Sequence, residues 1–221
     1  MRRALELLAA GLLAAAAPAA AVPPESCRPV DGLGCAYIPD GANNPPLLIY
    51  LRGWHAPYEG HVPPSACLDS ARQAFTRYAL GETAQAAKVA VLVTCSSDLG
   101  VTESDVAALE KATGVDFSGR ILAAHSGGFV GLQRTFAAGL SFGRLLMLDN
   151  FYFAPEFSSR IQARVSGGVT CAGYYTEKTR SLYEGVFKSA VSCPVEPHDD
   201  YGHTETVVKC LAAYLTRSSC Q

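Results

Sequence analysis

The sequence has few charged residues and no block of like charge. Asp, Glu, Lys and Arg make up 17% of its 221 residues, and 18 basic against 20 acidic side chains give a net charge of −2. Nucleic-acid binding needs a concentration of positive charge that this balance does not supply, so we expect no nucleic-acid partner. The absence of charged runs also excludes an acidic tail or a basic arm.

The chain also lacks periodicity. Its 20 glycines and 13 prolines are scattered, which excludes a collagen-like fibre, and no internal repeat is present. Hydrophobic residues make up 49% of the chain, enough to fill a core and too many for a disordered protein. Length and composition therefore predict a single globular domain.

The one long apolar run is at the N-terminus. Two arginines precede the stretch LLAAGLLAAAAPAAA, which ends in small residues just before VPPES. These features predict a secretory signal peptide over 1–21, cleaved near residues 19–21, and a secreted or periplasmic domain over 22–221 with no membrane partner. An uncleaved membrane anchor is the alternative, but the run is short for a span and carries Glu6.

Eight cysteines lie in the predicted mature chain: Cys27, Cys35, Cys67, Cys95, Cys171, Cys193, Cys210 and Cys220. An even number in an exported chain predicts up to four disulfides. Eight cysteines allow 105 pairings, so the connectivity stays open, and pairing each cysteine with its sequence neighbour is the simplest scheme. A thiolate metal site is the alternative, but the chain has no C-x-x-C pair and export oxidises thiols.

Short apolar runs alternate with amphipathic segments along the mature chain. The predicted strands are 35–38, 47–51, 89–95, 120–125, 145–149, 169–175 and 193–197. The predicted helices are 65–80, 102–113, 127–138, 155–165, 178–190 and 204–216. This order predicts an α/β fold with a mostly parallel central sheet flanked by helices and no separate lid domain.

The clearest functional motif is ILAAHSGGFVGLQ, in which an apolar strand ends at Ser126 and a helix follows at once. Residues 124–128 resemble the nucleophile elbow of the α/β-hydrolase superfamily, with Ala124 in place of the first glycine of its G-x-S-x-G motif. The resemblance implies an α/β-hydrolase-like fold, Ser126 as nucleophile and the backbone N–H of Gly127 as one oxyanion donor. A structural Gly-rich turn is the alternative.

The superfamily takes its second oxyanion donor from the loop after an earlier strand. Here the strand LLIYL is followed by Arg52, Gly53 and Trp54. The resemblance implies the N–H of Trp54 as that donor, with Arg52 in the place of the usual histidine. A glycine turn that carries a packed tryptophan is the alternative.

Five histidines are candidates for the general base: His55, His61, His125, His198 and His203. His203 lies between the last predicted strand and the last predicted helix, the position in which the superfamily carries its catalytic histidine. His198 is the second choice. His125, although it adjoins the predicted nucleophile, is expected to be structural.

Two carboxylates are candidates for the acid that orients the histidine. Asp149 ends the run RLLMLD, beside the strand that leads to Ser126, and Glu177 follows the next strand. Adjacent strands lie about 4.8 Å apart, so a loop histidine can reach either. Glu177 precedes a helical pattern, where a carboxylate has an ordinary role, so Asp149 is preferred and Glu177 remains the alternative.

These residues predict a secreted, esterase-like serine hydrolase that cleaves an ester or related acyl bond of a small-molecule substrate without a cofactor or metal. A metal-dependent hydrolase built on His198, Asp199, Asp200 and His203 is one alternative. A non-catalytic binding protein on the same scaffold is another, suggested by aromatic residues expected at the mouth of the site. These aromatics are Trp54, Tyr58, Phe151, Tyr152, Phe153 and Tyr201.

Overall fold

The structure, a computed structural model, describes residues 21–54, 61–216 and 220. Its eight-stranded sheet consists of β1 (Arg28–Val30), β2 (Gly34–Tyr37), β3 (Leu47–Leu51), β4 (Ala90–Thr94), β5 (Arg120–His125), β6 (Arg144–Leu148), β7 (Thr170–Tyr175) and β8 (Val195–Pro197). The strand order is β1-β2-β4-β3-β5-β6-β7-β8, in which β2 runs antiparallel to both neighbours and every other pairing is parallel. The predicted α/β class with a mostly parallel sheet is confirmed, whereas the predicted signal peptide falls almost wholly outside the described residues.

Helices cover both faces of this sheet. They are α1 (Cys67–Arg77), α2 (Leu80–Ala87), α3 (Glu103–Thr113), α4 (Phe129–Ala137), α5 (Pro155–Ser166), α6 (Arg180–Leu182), α7 (Lys188–Ala190) and α8 (Ala212–Thr216). The π-helical turn Tyr183–Phe187 joins α6 to α7, and a second, Val207–Leu211, leads into α8. One apolar cluster packs α1, α2 and α8 against one face, and another packs α3, α4 and α5 against the other.

Strand β3 explains how both clusters are filled. All five residues of LLIYL are buried, with Leu47, Ile49 and Leu51 in one cluster and Leu48 and Tyr50 in the other. Successive side chains of a strand point to opposite faces, so an unbroken apolar run serves two cores at once. Burial of each such side chain contributes about 2 kcal/mol to stability, so β3 is held firmly between the two cores.

Two helices and one strand show where the predicted secondary structure agrees with the structure and where it differs. The helix predicted over 102–113 is confirmed as α3, which begins with a capping box between Thr102 and Asp105. The helix predicted over 65–80 breaks, because Ala79 adopts a left-handed φ of 48° between α1 and α2. Strand β1 has no counterpart among the predicted strands, since it contains Pro29, which a sheet accepts only at its edge.

Four disulfides join cysteines that are neighbours in the sequence: Cys27–Cys35, Cys67–Cys95, Cys171–Cys193 and Cys210–Cys220. The connectivity is therefore the simplest of those that the sequence leaves open. These bonds fit an extracellular environment, where thiols are oxidised. Within the described part of the chain, no helix is long and apolar enough to span a bilayer.

We expect loss of the Cys67–Cys95 disulfide to destabilise the protein more than loss of Cys27–Cys35. The sequence separations are 28 and 8 residues, so loop-closure entropy is larger for the first. The expected difference in the free energy of unfolding is about 1 kcal/mol, measured by denaturant unfolding of the two double-alanine variants. Equal losses would contradict this entropic explanation.

Candidate active site

The carboxyl ends of three adjacent parallel strands meet at one edge of the sheet. Leu51 of β3 is level with Ala124 of β5, and His125 of β5 is level with Leu148 of β6. Continued beyond the strands, the same register places Gly53, Ser126 and Asp149 side by side. Ligands of open α/β sheets bind at this edge, so the register defines the candidate site.

Ser126 directly follows β5 and is the first residue of the 3-10 helical segment Ser126–Gly128, which leads into α4. Its φ is 50°, in the left-handed region that costs a non-glycine residue about 1–2 kcal/mol. The buried side chain of Asn150 donates a hydrogen bond to the Ser126 carbonyl oxygen and so helps to hold this backbone. Ser126 itself is half-buried, so its hydroxyl is not sealed inside the core.

Asp149 follows β6 and is completely buried, also with a φ of 50°. Its carboxylate accepts hydrogen bonds from the Thr176 N–H at 2.9 Å, the Thr176 hydroxyl at 2.7 Å and the Thr179 hydroxyl. His203 Nδ1 is a further partner. Burial alone would raise the pKa of Asp149, but these hydrogen bonds outweigh burial and lower the pKa to about 2, so Asp149 is ionised at neutral pH.

His203 lies in the loop after β8, with Nδ1 against Asp149 Oδ2. Donation from Nδ1 leaves Nε2 as the acceptor of the neutral ring. Among the hydrogen bonds of the described residues, none joins the Ser126 hydroxyl to His203. The Tyr152 hydroxyl lies on the Ser126 side, where burial raises the pKa of Tyr152 and the Ser126 side chain partly offsets that rise. A hydrogen bond between a general base and the group it deprotonates is often long or poorly aligned until substrate binds.

His125 lies beneath His203. Its Nε2 donates to the His203 carbonyl oxygen at 3.1 Å, the two ring centroids are 4.6 Å apart, and the Tyr78 ring meets His125 edge-on. Burial, reinforced by the nearby His203, lowers the pKa of His125 to about 3, so the ring is neutral at physiological pH. This position fits the structural role expected from the sequence.

Gly53 and Trp54 lie against the predicted nucleophile. A Cβ at Gly53 would lie only 2.9 Å from Ser126 Cβ, so a side chain there would force the two backbones apart. The Trp54 indole covers Gly127 so closely that a Cβ on Gly127 would overlap the ring, yet Trp54 is 61% exposed. The two backbone segments expected to donate to an oxyanion are therefore adjacent.

The alternative acid lies elsewhere. Glu177 is exposed and forms an ion pair with Arg180 at 2.8 Å. In this structure the carboxylate that contacts His203 is that of Asp149.

The alternative metal site predicted from His198, Asp199, Asp200 and His203 is not formed, because these side chains do not meet at one point. Asp199 pairs with Arg180, His203 contacts Asp149, and His198 stacks on Tyr201. In the described ranges, the one His/Cys/Asp/Glu group with metal-ligand spacing joins His198 to the sulfurs of the Cys210–Cys220 disulfide. A cysteine binds a metal as its thiolate, and the sulfurs of a disulfide are not thiolates.

The aromatic rim expected from the sequence is only partly present. That expectation is wrong for Phe151 and Phe153, which are buried and pack edge-on or tilted against Phe187 in the core. Tyr201 stacks on His198, while Tyr58 and the candidate base His55 lie outside the described residues. His61 is exposed, and its Nδ1 lies 3.4 Å from Asp98 Oδ2.

Sequence reasoning missed the side chains that support the site. These are Asn150, Thr176 and Thr179. Thr176 carries a usable signal, because it directly follows β7 at the same edge of the sheet. Asn150 and Thr179 carry no local signal, since each acts on a residue from a different loop.

The buried neutral His125 predicts an acid-sensitive stability. The unfolded side chain takes up a proton below pH ~6.5, whereas the folded one does so only near pH 3, so this contribution is complete above pH ~6.5 and is lost as the pH falls. We expect a loss of roughly 3 kcal/mol by pH ~4.5, a pH above the pKa of Asp149 in both the folded and the unfolded state. Denaturant unfolding of wild type and His125→Phe measures it; parallel pH curves for the two proteins would contradict it.

Comparison with known proteins adds no family to this geometry. No protein-family model matches the sequence, and no curated protein shows significant similarity to it. Function must therefore be inferred from the arrangement of Ser126, His203 and Asp149 themselves.

Proposed function

We propose that the protein is a secreted serine hydrolase of the α/β-hydrolase type that cleaves an ester or related acyl bond. The observation that carries the proposal is the buried, ionised Asp149 bound to His203 Nδ1, beside a serine on a left-handed strand-to-helix turn. The chain order Ser126, Asp149, His203 also matches the order of the triad in α/β-hydrolases. The four disulfides support export.

Acylation begins when the Ser126 hydroxyl oxygen attacks the acyl carbon and forms a new C–O bond. The hydroxyl proton passes to His203 Nε2, and the carbonyl electron pair moves onto the substrate oxygen, which becomes an oxyanion. When that pair returns, the bond to the leaving group breaks and His203 gives the leaving group its proton. The product is an acyl-serine.

Deacylation repeats the sequence with water. Water gives a proton to His203 Nε2 as its oxygen attacks the acyl carbon, and collapse of the second oxyanion breaks the bond to Ser126. The proton then returns to Ser126. No cofactor takes part in either half.

Asp149 contributes by staying charged. Its low pKa keeps a carboxylate beside His203 over the whole neutral range, so the imidazolium formed in each step gains a negative partner. Hydrogen bonds from Thr176 and Thr179 prevent rotation of the carboxylate, which fixes the tautomer and orientation of the imidazole. The N–H groups of Trp54 and Gly127 bind the oxyanion, supported by the contacts of Gly53 and Trp54 with the Ser126 turn.

We expect a fluorophosphonate probe to label Ser126 covalently and to abolish ester hydrolysis. Ser126→Ala should lose the label and reduce kcat by on the order of 10⁶ while its melting curve stays normal, because the hydroxyl reacts rather than packs. Mass mapping of the labelled peptide identifies the site. The exposed Ser159→Ala serves as the matched control and should label like wild type.

A wild-type protein that is folded but remains unlabelled would contradict the proposal. A label on another serine would move the nucleophile away from Ser126.

We expect Asp149→Asn to reduce kcat by on the order of 10⁴, because the amide no longer holds the required tautomer of His203. Glu177→Gln should leave kcat nearly unchanged, since the Glu177 side chain is exposed and pairs with Arg180. Steady-state kinetics on a dissolved ester, with melting curves as the folding control, compares the two. A large loss for Glu177→Gln together with a small loss for Asp149→Asn would show that Asp149 is not the triad acid.

A further inference from the structure

Arg52 is almost completely buried at the end of β3, one residue before the turn that contacts Ser126. Its Nη1 donates to the carbonyl oxygens of Ser70 at 3.2 Å and Cys95 at 3.1 Å, and to the Ser70 hydroxyl. Its Nε donates to the Gly53 carbonyl oxygen at 3.3 Å. Each of these partners is a neutral oxygen, so the guanidinium donates several hydrogen bonds at once to three different segments.

The bond to Gly53 fixes the direction of the next N–H. In a trans peptide the carbonyl oxygen and the following N–H lie on opposite sides of the plane. When Arg52 Nε holds the Gly53 oxygen on one side, the Trp54 N–H must point to the other. Gly53 is in contact with Ser126 on this turn, so the orientation of a single peptide decides whether the proposed oxyanion site has its second donor.

The acceptors that hold the guanidinium are themselves fixed. Cys95 directly follows β4 and is joined by a disulfide to Cys67, the first residue of α1. Ser70 lies on the same helix, and its hydroxyl also donates to the Cys95 carbonyl oxygen at 2.9 Å. The cross-link thus brings the acceptors from α1 and from the end of β4 together around Arg52.

We propose that Arg52 is a positioning residue that holds the Gly53–Trp54 peptide with its N–H directed at the oxyanion. The inference rests on the proposed hydrolase function and adds a requirement to it. A lysine at position 52 keeps the charge but has one terminal nitrogen in place of the guanidinium fork, so it cannot donate to Gly53 and to the acceptors on α1 and β4 together.

The test compares Arg52→Lys with wild type on a dissolved ester and on the matching thionoester. We expect kcat on the ester to fall about 10- to 100-fold with KM changed less than about threefold, because an oxyanion donor acts in the transition state. On the thionoester the loss should be less than about threefold, since sulfur accepts hydrogen bonds weakly. Rates are expressed per active site titrated to completion with fluorophosphonate, so unfolded protein does not contribute.

Arg72→Lys is the matched control. Arg72 also donates from Nε to a backbone carbonyl oxygen, that of Cys27, at 3.2 Å, but away from the Ser126 turn. It should retain wild-type kcat on both substrates.

If Arg52→Lys does not fold, Ser70→Ala takes its place. That variant removes one acceptor of the guanidinium and should give a smaller loss, about 3- to 10-fold, again confined to the ester. Equal losses on ester and thionoester, or wild-type kcat per site in these variants, would overturn the positioning role of Arg52. A wild-type protein that neither labels nor hydrolyses the ester would overturn the proposed function and this inference with it.

Discussion

The shared register of β3, β5 and β6 is the constraint on which the candidate site depends. Because these strands are parallel and adjacent, the residues that follow them emerge at one edge and at one height. Gly53, Ser126 and Asp149 are 73 and 23 residues apart along the chain, yet the sheet brings their backbones together. A one-residue slip in either pairing would turn these residues to opposite faces.

Two of these residues carry backbone strain that the surrounding structure must offset. Ser126 and Asp149 both have a φ of 50°, a conformation that persists in non-glycine residues only where neighbours fix it. Asn150 bonds the Ser126 carbonyl oxygen, and the Asp149 N–H donates to Tyr174 at 2.7 Å. Burial of a charged Asp149 is likewise tolerated because its carboxylate has several donors. Two of the five left-handed non-glycine residues in the described part of the chain, and a buried charge, thus lie where reactivity is proposed.

The sequence predicts this site well where a functional residue directly follows an apolar strand. Ser126 and Asp149 each do so, and His203 follows β8 before a helix. These positions, together with the resemblance to α/β-hydrolases, name all three as candidates, with Glu177 as the alternative to Asp149. Prediction fails where a contact joins distant segments, since nothing near Thr179 indicates that its hydroxyl will bond Asp149. It also fails at Ala79, where no glycine or proline marks the left-handed residue that ends α1. The placement of Phe151 and Phe153 at the mouth of the site is wrong for a similar reason, because only tertiary packing decides whether aromatics after a strand turn inward.

The disulfides fix segments next to the strands, as the register fixes the strands themselves. Cys67–Cys95 fixes the end of β4 against α1 beside Arg52, and Cys171–Cys193 ties β7 to the residues just before β8. Cys210–Cys220 closes the segment after the loop that carries His203. Loops are ordinarily the most mobile parts of a domain, and catalysis of the proposed kind tolerates little displacement. The Cys67–Cys95 cross-link therefore restricts a loop at the carboxyl edge of the sheet, where the candidate site lies, whereas Cys171–Cys193 joins the amino ends of β7 and β8 at the opposite edge and stabilises the fold alone.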